Sequence, residues 1–425
     1  MPRVFKPGRA LLPKEGFEKW SCIACDQYTS EPGYWEEVER LVGDSPSAYR
    51  ISLPEIYLED GGVGDRIKNI KAGMDSYLKN GVFAAPVEGY IYVERTLSNG
   101  KVRRGLVGVC DLEQYDFSPS SQSLIRATEG TIPERIPPRL RVRQGAALEL
   151  PHVMLLLDDP EDKVFLNLSR RDKFKKLYSF PLMMSGGSIE GFLVPDECAK
   201  GIDAAICEAG RQDVFERKYG VRGKGALLFA VGDGNHSLAT AKTCYEELKK
   251  TLSPEEAADH PARYALVELV NIHDPALEFE AIHRVVFDVD PEHLLRELKL
   301  ADGEARGDSA DGRADGQTVE FIYGGGARTG RYTFQSPTSN ITVGTLQGFL
   351  DSYLARHGGR LDYIHGEAVV RELGGEKGNI GFILPPMEKG ELFKTVILDG
   401  ALPRKTFSMG HANDKRYYLE CREIL

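Results

Sequence analysis

The chain has 425 residues, 41% of them hydrophobic, with 54 Lys+Arg against 64 Asp+Glu and a net charge of −10. Domains cluster near ~100–200 residues, so two or three cores are expected, and the apolar fraction is sufficient to fill them. An acidic chain without a lysine-rich tail is not a general nucleic-acid coat, no apolar run reaches the ~18–20 residues of a membrane helix, and the opening MPRVFKPGRALLPKEGFEKW lacks the apolar stretch of a signal peptide.

In chain order, a helix is predicted near Tyr34–Val42, then a proline-flanked extended stretch at Ile51–Leu58. Ile67, Ile70, Met74 and Leu78 recur at helical spacing, so Asp65–Lys79 reads as an amphipathic helix. Val87–Arg95 and Lys101–Asp111 flank Ser98-Asn99-Gly100, a strong hairpin signal. Val153–Leu157 and Val164–Leu168 read as a strand pair, and Pro195–Tyr219 as one long helix ending before Gly220. Ala226–Val231 is a short apolar run suited to a buried strand, followed by a turn and a helix carrying Leu238, Ala241, Tyr245 and Leu248 on one face. Arg263–Asn271 and Glu278–Val289 are predicted strands, and helices are expected near Gly344–Arg356 and Gly366–Leu373. Residues 301–317 lack large apolar groups and are predicted to form an exposed loop. Antiparallel hairpins in an irregular alternation argue for an α+β fold, with mixed, largely antiparallel sheets and flanking helices. The division expected is an N-terminal region 1–160, a central region 161–300 and a C-terminal region 318–425.

The main chemical signal is Gly232-Asp233-Gly234-Asn235-His236-Ser237, between a strand and a helix. A helix start presents backbone N–H groups and the positive end of its dipole, which suits an anion. Gly232 and Gly234 let the backbone approach a phosphate, Asp233 can accept a proton, His236 can act as acid, base or donor, and Asn235 is both donor and acceptor. The competing explanation is a capped helix, with Asp233, Asn235 or Ser237 as the N-cap. The turn is neither a P-loop nor a dinucleotide fingerprint. A second cluster holds Arg126, Glu129, Arg135, Arg139, Arg141 and Arg143, with Pro133, Pro137 and Pro138 marking a loop. Arginine forks suit phosphate and would keep Glu129 ionised; a solvated surface loop is the alternative. His283-Arg284 and the segment around Lys405, with His411, Lys415 and Arg416 beyond it, are further basic groups, each taken alone more often a surface charge cluster than a site. Seven scattered cysteines fit reduced thiols in a cytoplasmic protein, and the lone Cys22-x-x-Cys25 reads as structural.

Together these segments resemble the DUF1015 family. IRATEGTIPERIPPRLRVRQ is similar to its arginine–glutamate–threonine block, and VGDGNHSLATAK stands where the family usually has D-G-H-H-R before a small-residue helix. FEAIHRVVF, FILPP and LPRKTFSM resemble its later blocks, and ACDQYTSEPGYW resembles a clostridial-type branch. The turn is also similar to the ParB/sulfiredoxin-like superfamily, which includes free serine kinases. That resemblance implies nucleotide phosphates (ATP or ADP, with Mg²⁺) on the turn and a glutamate as base. Here Asn235 replaces the first histidine and Ser237 the arginine, so the missing cation must come from Arg126, Arg139, Arg141, Arg284 or Lys405.

The function expected is a nucleotide-dependent phosphotransferase acting on a small hydroxylated metabolite such as serine. Glu129 or Asp233 would take the hydroxyl proton and His236 would orient the phosphoryl group. Gly232, Gly234, Asn235, Ser237 and the arginines, with His283 and Lys405, would hold phosphate. A nucleotide-binding switch without turnover, and an acid/base hydrolase or isomerase on a phosphorylated metabolite, are the rivals. No membrane or nucleic-acid partner is expected; a homo-oligomer is compatible.

Overall fold

Alternation along the strands determines where the cores lie. Ile91 and Val93 face one cluster of buried side chains while Tyr92 faces another; Val107 and Val109 oppose Leu106 and Cys110, and Leu266 opposes Val267 and Leu269. A strand's side chains alternate with period two, so a sheet whose strands are apolar at consecutive positions must be covered on both faces. That is the organisation found in this computed structural model, which describes residues 3–130, 136–166, 168, 171–304 and 316–425.

The chain forms two units. The first comprises Met1–Ala127, Thr131–Leu277 and Gly410–Leu425, and the second Thr128–Gly130 and Glu278–Met409. The first unit is built on a ten-stranded sheet in the order Lys175–Pro181, Ser188–Leu193, Ile91–Thr96, Val102–Asp111, Tyr264–Asn271, Met154–Leu157, Phe229–Asp233, Ile125–Ala127, Tyr115–Asp116, with Phe5–Lys6 added beside Val102–Asp111. Most neighbours are antiparallel; Tyr264–Asn271 with Met154–Leu157, Phe229–Asp233 with Ile125–Ala127, and Ile125–Ala127 with Tyr115–Asp116 are parallel. The second unit has the antiparallel order Arg328–Thr333, Thr318–Tyr323, Ile380–Ile383, Phe279–Phe287, Arg360–His365, with Phe407–Met409 on the first residues of Phe279–Phe287. The fold is therefore mixed α+β with largely antiparallel sheets. The grouping does not follow the three consecutive regions 1–160, 161–300 and 318–425, because strands from residues 102–111, 154–157 and 264–271 pair side by side.

Several predicted elements form as expected. The hairpin places Glu94 opposite Arg104 and Thr96 opposite Val102, with Gly100 at φ 80° in the turn. The amphipathic helix is Val63–Lys79, burying Ile67, Ile70 and Met74. Others differ for local reasons. Val164–Leu168 is not a strand: Asp159 Oδ2 accepts from the Val164 N–H at 2.9 Å, and Lys163–Leu166 is a single helical turn. Ile51–Leu58 is not extended, because short 3-10 turns at Ala48–Ile51 and Glu55–Tyr57 follow the Ser47 cap and Pro54. The long helix breaks at Gly210 and extended Arg211 into Asp196–Ala209 and Gln212–Tyr219.

The proline-marked arginine segment is helical over Ile136–Arg143; residues 131–135, with Thr131, Pro133 and Arg135, lie outside the described residues. Of the predicted loop 301–317, residues 301–304 end the helix Pro291–Glu304, Gln317 is buried with its side chain on the Ser339 carbonyl, and 305–315 lie outside the described residues.

The closing residues, polar in composition, run through the interior of the first unit. Tyr417, Tyr418, Leu419 and Cys421 are buried, the Trp20 indole donates to the Leu419 carbonyl at 2.8 Å, and Leu11 and Cys421 exchange backbone hydrogen bonds. Gly191 shows how tightly this core is packed, since a Cβ there would overlap the Tyr178 ring, whose hydroxyl donates to Glu420 at 2.6 Å. Gly191→Ala is expected to cost about 1–3 kcal/mol through overpacking, read as a lower denaturation midpoint in urea. Among the described residues no helix is long and apolar enough to cross a membrane.

Candidate functional site

The Gly-Asp-Gly turn ends a strand held on both sides. Phe229–Asp233 pairs with Ile125–Ala127 and with Met154–Leu157, and the latter register shifts between Val231 and Asp233, which leaves Gly232 as the extra residue of a bulge. Gly234 then adopts φ 79° and serves as N-cap of the helix Asn235–Lys249. A Cβ at Gly234 would sit 3.0 Å from Val153 Cγ2, 3.1 Å from Val153 Cα and 3.2 Å from His152 Cδ2. Conformation and space both require glycine here. No side chain caps the helix, so capping by Asp233, Asn235 or Ser237 is not what the turn does. Asp233 Oδ1 instead accepts from the Gly234 N–H at 3.1 Å, and Asn235 is buried with its amide 3.4 Å from the Val231 carbonyl.

Residues distant in sequence complete the turn. Lys415 Nζ lies 3.6 Å from Asp233 Oδ2. Ser237 Oγ is 2.8 Å from His152 Nε2, and His152 Nδ1 is 2.9 Å from the Tyr418 hydroxyl, which accepts from the Cys25 N–H at 3.2 Å. Asp26 Oδ2 is 3.8 Å from His152 Nε2. A carboxylate beside Nε2 favours a proton on that nitrogen, so Nε2–H donates to Ser237, while Nδ1 is hydrogen-bonded to the Tyr418 hydroxyl. Burial raises the Asp26 carboxyl, but His152, the Gln27 amide and Lys415 outweigh it and hold Asp26 below the usual range. Lys415, from the closing segment, is thus a cation held beside the turn at Asp233.

Beside this group opens a cleft. Ser237 and Thr240 from the helix, His152, Tyr418 and Cys25 contribute to its wall. Arg139 is ion-paired with Glu55, and Arg143 with Glu149 at 2.6 Å, all four lining the same space. Burial raises the Glu55 carboxyl above its ordinary value; Asp26 adds to this, and Arg139 and His152 offset part of it. Cys22 and Cys25 are inert by environment: burial lifts the Cys22 thiol to about 12 and also raises Cys25, with Glu55 and Asp26 adding to the latter. Their C-x-x-C is therefore structural.

The other sequence-predicted residues are placed as follows. Arg126 is 2% exposed, and its guanidinium donates to the carbonyls of Ser123 (2.9 Å) and Gly225 (2.5 Å), the latter just before the strand whose far end carries the turn. Burial brings it down to about 10. Arg141 is exposed. Glu129, His283, Arg284 and Lys405 belong to the second unit. There Glu129 bridges Leu402, and the Arg284 guanidinium is buried against Gln347 Oε1 (2.7 Å) and the carbonyls of Ile282 (2.8 Å) and Lys405 (3.0 Å), with burial lowering it to about 10. His283 Nδ1 accepts from the Leu384 N–H at 3.1 Å, and burial lowers its pKa. Lys405 is exposed. Sequence reasoning did not single out Asp26, His152 or Tyr418, and it named Lys415 only within the basic C-terminal segment. Asp26 lies within the ACDQYT block and Lys415 within the closing segment, but their meeting depends on pairing between the two ends of the first unit.

Among the described residues, no group of three His, Cys, Asp or Glu side chains is arranged to hold a metal ion. No curated protein matches the chain. Among solved structures, a free serine kinase in complex with AMP is similar at 11% identity and a TM-score of 0.35, over 73% of this chain and 90% of that one. A conserved hypothetical protein from Pyrococcus furiosus is similar at 10% identity and 0.34, over 74% and 94%. SbnI with a C-terminal truncation, from Staphylococcus aureus, is similar at 9% and 0.33, over 72% and 83%. The family described as "Protein of unknown function (DUF1015)" matches residues 5–353, a span that includes the first sheet, the Gly-Asp-Gly turn and the start of the second unit. The chain belongs to the DUF1015 family.

Proposed function

We propose that this protein is a nucleotide-dependent phosphotransferase acting on a small hydroxylated compound, with the nucleotide phosphates seated at Gly232–Ser237. The observation that carries the reading is Gly234: a left-handed residue with no room for a Cβ, opening an uncapped 15-residue helix next to the Lys415 ammonium. Helix N–H groups and a lysine, the latter paired with Asp233, offer a phosphate chain several donors.

The reading uses residues of the first unit alone. Lys415 neutralises phosphate charge, and the Ser237 hydroxyl, which accepts from His152, is free to donate to a phosphate oxygen. Asp233 accepts the proton of the attacking hydroxyl, and His236 orients the transferring group. Phosphoryl transfer needs mainly positioning and charge stabilisation. Mg²⁺ would arrive on the nucleotide, whose oxygens and water supply most of its ligands.

Calorimetric titration of ATP and ADP with Mg²⁺ tests the site. The wild-type protein is expected to bind one of them, and the Asp233→Ala, His236→Ala double variant to bind at least ~10-fold more weakly, a loss of about 1.4 kcal/mol. Equal affinity in the two proteins, or no binding by wild type, would remove the basis of the reading.

A further inference from the structure

The cleft beside the turn is a second, chemically different space. We infer that it is the acceptor site, and that its ligand is a neutral alcohol with an apolar body rather than a free amino acid. This rests on the phosphotransferase reading above and adds the substrate class.

Three observations support it. First, Ser237 belongs to both spaces: it is the last residue of the Gly232–Ser237 turn, and it lines the cleft with its Oγ 2.8 Å from His152 Nε2. A hydroxyl at this corner, beside Ser237 and Tyr418, is adjacent to the proposed phosphate position. Second, the wall carries the apolar side chains of Ile51, Leu53, Met74, Leu148 and Leu150. These side chains offer an apolar body contacts that three-carbon serine, with its two charged groups, would leave unused. Third, the charges facing the cleft are matched within the protein, Arg139 with Glu55 and Arg143 with Glu149. A zwitterion would have to leave water without a dedicated partner for its ammonium or its carboxylate, whereas a neutral hydroxyl requires only hydrogen bonds.

In the transfer, the alcohol oxygen forms a bond to the terminal phosphorus of the nucleotide. The bridging P–O bond breaks, its electron pair leaves with the shortened nucleotide, and the hydroxyl proton goes to the Asp233 carboxylate. The product is a phosphomonoester of the alcohol.

The full chain is assayed with Mg²⁺ and nucleotide against L-serine, glycerol, 3-methylbutanol and 3-phenylpropanol, with phosphomonoester formation followed by ³¹P NMR and nucleotide binding measured separately by calorimetry. The apolar alcohols are expected to react at least ~10-fold faster than serine or glycerol, one factor of ten being the step set by ~1.4 kcal/mol of barrier. Leu58→Trp, at a half-buried position on the cleft wall, is expected to lower kcat/KM for 3-phenylpropanol at least as much. Ser52→Phe, on the same wall and also half-buried, gives the same reading if the first variant fails to fold. Nucleotide binding with serine preferred, or with neither variant affecting the apolar alcohols, overturns the acceptor assignment and leaves the phosphotransferase reading intact. Absence of nucleotide binding overturns both.

Discussion

Arg416→Met is expected to destabilise the first unit by about 3–5 kcal/mol, the cost of removing one partner from a buried charge cluster. Arg416 is 2% exposed and ion-paired with Glu268 and, at 2.5 Å, with Glu420, both of which are buried. Burial alone would lower its pKa; Glu420 and Glu268 raise it above the ordinary value. Without it two carboxylates remain in the core, with Arg103 Nε 3.7 Å from Glu268 as partial compensation. Denaturant titration read by fluorescence measures the loss.

The same cluster sets an acid limit. Burial raises the Glu268 carboxyl, but Arg416 and Arg103 more than offset this and hold it below 4.5; Glu149 is likewise held down by Arg422 and Arg143. A folded-state value below the unfolded one gives stability that is complete above the unfolded value and is lost as pH falls through the folded one. Stability is therefore expected to decline below about pH 4.5 in wild type, and less steeply in Glu268→Gln measured against its own neutral-pH value.

Gly234→Val is the second large effect expected. The backbone at φ 79° disfavours any β-branched side chain, and the added atoms would press on Val153 and His152. Strain of this kind costs about 1–3 kcal/mol, and relieving it would shift both the helix start and the His152 ring that holds Ser237. The variant is expected to melt earlier and to lose nucleotide binding altogether, by thermal denaturation and calorimetry. A variant that melts earlier yet binds as wild type would show that the turn is structural only.

Much of the architecture was legible in the residues. Alternation and Asn99-Gly100 identified the central hairpin, helical spacing identified Val63–Lys79, and the glycines bracketing Asp233 identified the turn. What was not legible depended on contacts between distant segments. Composition marked the last residues as polar, but Arg416 and Glu420 are buried because they pair with each other and with Glu268. The arginines drew attention as a cluster, yet backbone carbonyls occupy Arg126 and a carboxylate occupies Arg139, while Lys415 reaches the turn. His152 precedes a strand by two residues and had no motif of its own; only the packing of Tyr418 and Ser237 on either ring nitrogen reveals it.

The most direct test of the phosphotransferase account is a single-turnover reaction of the 425-residue chain with Mg²⁺, nucleotide labelled in its terminal phosphate, and a panel of hydroxyl compounds. The account predicts label in a phosphomonoester of the acceptor, abolished in the Asp233→Ala, His236→Ala variant. Nucleotide that binds tightly and leaves the enzyme unchanged with every acceptor, or releases only inorganic phosphate, would contradict it.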